Sequence, residues 1–118
     1  MHQISEENVH LTFKHALLAK KHGDFVVAIG KRLQKHENLM VQEYGYSIEQ
    51  YGKLIQYYAT QSLMYSKLLM QGHHVADFYT KAVESRMMAA KVHSMAVSIY
   101  SRAIEETIDR VSDRMCLY

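Results

Sequence analysis

Apolar residues recur at intervals of three, four and seven along most of the chain, the period of core-facing helices. The first such stretch follows Ser5, a preferred N-cap, with Glu6 and Glu7 in the turn where the helix dipole favours negative charge. Ile4, Leu11 and Leu18 repeat every seven residues, and Val9, Phe13 and Leu17 widen the stripe. Lys20, Lys21 and His22 suit the negative end of the dipole, and Gly23 predicts a stop. Asp24 then reads as the cap of a second helix, with Val26, Ile29, Leu33, Met40 and Tyr44 on one face. Gly30 inside it costs about 1 kcal/mol relative to alanine.

Ser47-Ile48-Glu49-Gln50 has the form of a capping box, flanked by Tyr46 and Tyr51 at the staple positions. It predicts a third helix from Ile48 to about Gln71, with Tyr51, Ile55, Tyr58, Tyr65 and Leu69 inward and Gly72 at its end. An alternative reading fuses the second and third helices through Gly45, and the capping signal argues against it. From His73 to Arg114 no Gly or Pro interrupts the pattern. Ala90, Val97, Ile104 and Val111 repeat every seven residues, with Met87, Ile108 and Met115 beside them, and Met88, Val92, Met95 and Ile99 form a second face. Arg102, Glu106 and Arg110 follow one another at i, i+4 and i+8, as on a solvated helix surface.

The pattern thus predicts an all-α fold: one domain over residues 1–118, a four-helix bundle with the long C-terminal helix at its centre. Forty residues of helix span about 60 Å, and the first two helices roughly 30 Å each. Unless short helices stack along it, the long helix overhangs with its apolar seam exposed. Such a seam calls for a second chain, so an oligomer or a permanent partner is expected.

Composition narrows this picture. Pro is absent and the five glycines stand singly at 23, 30, 45, 52 and 72, too little turn chemistry for many short strands. A hydrophobic share of 48% excludes a disordered chain. The formal charge is +2 and the pI 8.6, only mildly basic. The single cysteine, Cys116, excludes a disulfide framework and points to a reducing compartment. The opening residues lack the basic start and apolar run of a secretory signal. The longest stretch without Asp, Glu, Lys or Arg is Leu54–Ser66, well short of a membrane span. A soluble, cytoplasmic protein is expected.

Catalytic chemistry finds no foothold. Among eight histidines only His10 has a glutamate three residues before it, so the paired Glu-x-x-His sites of di-iron bundles do not form. His73 and His74 are adjacent and would point about 100° apart on a helix. His93 lies in an apolar stretch and reads as a core or boundary residue, or as a pH-sensitive interface group. Cys116 has no fixed base, and no Gly-rich phosphate loop exists. The expectation is a protein that is not an enzyme and takes no metal or cofactor.

Two compositional features suggest partners. Eight Met and nine Tyr exceed the usual share, and both residue types are favoured on adaptable binding surfaces. The first expectation is therefore a protein–protein interaction module: a small helical adaptor, assembly subunit or chaperone-like factor. Met64, Tyr65, Met87, Met88, Met95 and Ile99 would form its binding surface. The alternative rests on residues 14–35, where six cations oppose one carboxylate for a local charge of +5. If the first two helices form a hairpin turning at Gly23, Lys20, Lys21, Lys31, Arg32 and Lys35 would gather into a phosphate or nucleic-acid site.

Overall fold

The described residues fold into three helices, not four, running up, down and up. The computed structural model describes residues 5–73 and 76–116, with the side chains of Ala76 and 109–116 left aside. Helix α1 spans Glu6–Leu33, α2 Leu39–Met70 and α3 Ala76–Cys116. The molecule measures 70 × 20 × 16 Å. Ile4 and His74, and the side chains of Arg110, Val111, Met115 and Cys116, lie outside the described residues. No helix among the described residues is long and apolar enough to cross a membrane.

Both ends of the predicted frame hold. Ser5 caps α1, its Oγ accepting from the Asn8 amide at 3.1 Å. Gly72 ends α2 at φ 95°, the left-handed conformation that glycine adopts at least cost. The long final helix is continuous over 41 residues.

The two internal boundaries fall elsewhere. Neither Gly23 nor Gly45 stops a helix, Asp24 caps nothing, and the Ser47 box lies in the middle of α2. Asp24 instead accepts a hydrogen bond from Gln56 Nε2 at 2.7 Å. The break occurs at residues 34–38, inside the second helix predicted from sequence, and contains neither Gly nor Pro. Asn38 makes it: its Oδ1 accepts from the Met40 and Val41 amides at 2.8 and 3.4 Å. The His36 ring accepts from the Asn38 amide at 3.0 Å, and Gln42 Nε2 donates to the His36 carbonyl at 2.6 Å. These side chains supply partners that a turn glycine would not.

The misplaced glycines serve a different purpose. Gly23 and Gly30 on α1 are seven residues apart, as are Gly45 and Gly52 on α2. The antiparallel register sets Gly30 against Gly45 and Gly23 against Gly52, with backbone touching backbone. The same register continues through Ala16 beside Ala59 and Val9 beside Ser66, all buried. A seam of residues this small lets two helices approach more closely than Leu or Ile allows. Leu11, Leu17 and Leu18, expected inside, are consequently exposed.

α2, not the C-terminal helix, is central, because it carries two buried faces. Its second face holds Val41, Ile48, Ile55 and Ser62, again one heptad apart. Opposite stand Ala103, Ala96, Ala89 and Ala82 of α3. Ser62 Oγ fixes the alignment by donating to the Ala82 carbonyl at 2.7 Å. Alongside runs a heptad of half-buried tyrosines, Tyr44, Tyr51, Tyr58 and Tyr65. Tyr65 meets Phe78 at 5.6 Å between ring centroids. The residues predicted as the seam of the long helix, Val97 and Ile104, are 52% and 41% exposed; the alanines pack instead.

Candidate functional site

Since α1 and α3 both pack on α2 and run parallel, they face each other across a groove. Ile48 and Ile55 of α2 form its floor, joined by Val26 of α1 and by Ala89 and Ala96 of α3. Leu18 and Phe25, a heptad apart on α1, make one wall, and Ala90 and Val97, a heptad apart on α3, make the other. Phe25 is 68% exposed and Val97 52%, and they line the same hollow, so these exposed apolar side chains form a patch and not a scatter.

Two hollows lie along this groove, and His93 lines both. One, of about 310 Å³, is bounded by His15, Leu18, His22, Arg86, His93 and Ser94 over Ile55. The other, of about 230 Å³, is apolar: Phe25, Val26, Ile29, Ala96, Val97 and Tyr100 surround it over Ile48. His22 and His93 meet between the helices, ring centroids 4.9 Å apart and tilted by 41°. Burial holds the His93 imidazole below its ordinary 6.5, and the neighbouring His22 adds to the effect.

The sign of that shift gives a stability prediction. Between the lowered value and 6.5 the unfolded chain binds the His93 proton more readily than the fold does. This contribution to stability is therefore complete above 6.5 and declines as the pH falls through the folded-state value. The melting temperature should be lower at about pH 5 than at about pH 7.5, and the difference should narrow in His93→Gln. An unchanged difference in that variant would remove His93 from the account.

The residues singled out from sequence do not form one surface. Tyr65, Met88, Met95 and Ile99 lie along the seam of α2 with α3, Tyr65 and Ile99 half-buried. Met88 and Met95 leave α3 on the opposite side of the Ala89–Ala96 row from Val97, so they do not reach the groove. Met64 and Met87 are 48% and 58% exposed on the outer sides of their helices. The Lys81 ammonium stands 5.7 Å from the Tyr65 ring centroid and is paired with Asp77 at 3.1 Å.

The basic cluster is also rearranged. No turn at Gly23 gathers it, because α1 continues straight through. Lys20, Lys21, Lys31, Arg32 and Lys35 are exposed, the first four along α1 and Lys35 just past its end. They extend over roughly 20 Å of helix and turn. Among the described residues no group of three or more His, Cys, Asp or Glu is arranged to hold a metal ion.

Sequence reasoning did not find His15, His22, Phe25 and Arg86 as groove residues. The available signal was the heptad of small residues beside them. Once Ala16, Gly23 and Gly30 are set against α2, Leu11, Leu18 and Phe25 must face away from it. Comparison with family models, with curated protein sequences and with solved structures finds no match to this chain, so the groove stands on its own geometry.

Proposed function

We propose that this protein is a non-enzymatic protein–protein interaction module that takes up one amphipathic helix of a partner along the groove between α1 and α3. One observation carries the reading: exposed apolar rows, Leu18–Phe25 and Ala90–Val97, flank the buried floor of Ile48 and Ile55. Three helices leave the space that a fourth would fill in a four-helix bundle. A helix reading the groove would present apolar anchors one heptad apart. Tyr65, Met88 and Met95 lie along the opposite seam, between α2 and α3.

The reading is tested with a displayed library of amphipathic helices of about 21 residues, six turns, with leucine at the heptad core positions and all others randomised. Selection on the full chain should enrich clones that lose binding to the Phe25→Asp, Val97→Asp double variant. Both substituted side chains are more than half exposed, so the variant should retain the helical circular dichroism of the parent. No enrichment, or clones that bind the folded variant equally well, would end the proposal.

A further inference from the structure

The groove is not uniformly apolar, and the one permanently charged residue that lines it, Arg86, is a cation. α1 contributes His15 and His22 to the larger hollow, α3 contributes Arg86 and His93, and α2 contributes only Ile55. Among the described residues no carboxylate lines either hollow. Lys14 and Lys21 lie four residues before and three after Leu18, on the same side of α1. Asp24, the nearest acid along that helix, is engaged by Gln56 of α2. An apolar helix lying in the groove would therefore cover a guanidinium and three imidazoles without answering them, and burying an unpaired cation is costly.

The adjoining hollow sets the pattern. His93 is common to both, and Ile48 and Ile55 place their floors one heptad apart, about 10 Å along α2. We propose that the larger hollow is a carboxylate seat: the partner helix carries one Asp or Glu, held among His22, Arg86 and His93, and an apolar anchor one heptad away in the hollow of Phe25 and Val97. Arg86 supplies a permanent positive charge with a planar array of donors suited to a carboxylate. The two imidazoles, 4.9 Å apart, supply donors from both walls. A second copy of this chain docked groove to groove would bring the same permanent cations, Arg86 with Lys14 and Lys21 beside the groove, and no carboxylate from the hollows, so the occupant is a different, acidic segment.

This inference rests on the helix-binding reading, and the same selection separates the two. Enriched clones should carry Asp or Glu at one core-flanking position, a heptad from an obligatory apolar residue. Replacing that acid by its amide should weaken binding to the parent chain about tenfold. The same replacement should cost much less against the His22→Gln, Arg86→Gln variant, which removes no buried apolar group. Groove-dependent clones with no acidic position, or with acids spread evenly as on any mildly basic protein, would overturn the carboxylate seat and leave helix binding intact. An amide that costs as much against the double variant as against the parent would also overturn it. A selection with no groove-dependent clones would overturn both.

Discussion

Gly30→Ala should destabilise the protein by about 2 kcal/mol, although alanine is the better helix former by about 1 kcal/mol. A Cβ at this position falls on the Glu49 amide nitrogen and comes within 2.7 Å of both the Glu49 Cα and the Gly45 carbonyl oxygen. All three are backbone atoms of α2, so relief requires moving a helix and not a side chain. Overpacking of this kind costs typically about 1–3 kcal/mol and more where the neighbour is rigid. The melting temperature should fall by on the order of 10 °C. Gly23→Ala provides the internal comparison, because its nearest obstacle is the flexible Gln56 side chain at 2.8 Å, with the Gln56 amide at 3.0 Å. It should cost less than half as much. Thermal and urea melts followed by circular dichroism decide the matter. A Gly30→Ala protein more stable than the parent would mean that the helices do not touch here.

Ile55→Ala should cost about 3 kcal/mol, within the usual range for truncating a fully buried aliphatic side chain. Ile55 is 1% exposed and belongs to the cluster formed with Val26, Ile48, Ala89, Val92 and Ala96. It also floors the larger hollow, so the space left behind would join an opening that already exists. Collapse of the small neighbour Ala89 cannot fill it. Met64→Ala, at an exposed position, should change stability by less than about 0.5 kcal/mol. If the two variants melted alike, the floor would not be where the cohesion of the bundle lies.

The parts of this architecture legible in the sequence are those set by local chemistry. Ser5 followed by two glutamates, glycine at position 72 and an unbroken run thereafter each specify a helix end or its absence without reference to a neighbour. Gly23 and Gly45 have the same appearance as Gly72, yet only Gly72 takes positive φ. A glycine that ends a helix and one that admits another helix are the same residue until the partner is known. The distinguishing signal was their pairing at seven-residue spacing with Gly30 and Gly52, extended by Ala16 and Ala59. The turn at 34–38 escaped because Asn38, His36 and Gln42 build it from side chains in place of Gly or Pro.

The groove was hidden for a related reason. Large apolar residues draw attention as core, and Leu11, Leu18 and Val97 were read that way. Here the core faces of α1 and α3 are built largely of Gly and Ala, and part of the large side chains is displaced outward. His93 was recognisable as a boundary residue, but its meeting with His22 depends on two helices more than 70 positions apart in register, which no local pattern encodes.

The alanines that α3 offers to α2 resemble a rack with identical teeth. Sliding α3 by one heptad, about 10.5 Å along its axis, would bring Ala82, Ala89 and Ala96 opposite Ile55, Ile48 and Val41. The same volumes would meet again. The rack therefore fixes how far apart the two helices lie and is nearly silent on where along each other they stop. That choice falls to a few unlike contacts: the Ser62 hydroxyl on the Ala82 carbonyl, Tyr65 against Phe78, and His22 against His93. Alignment and cohesion are thus encoded in different residues, and a chain that lost the first could keep the second.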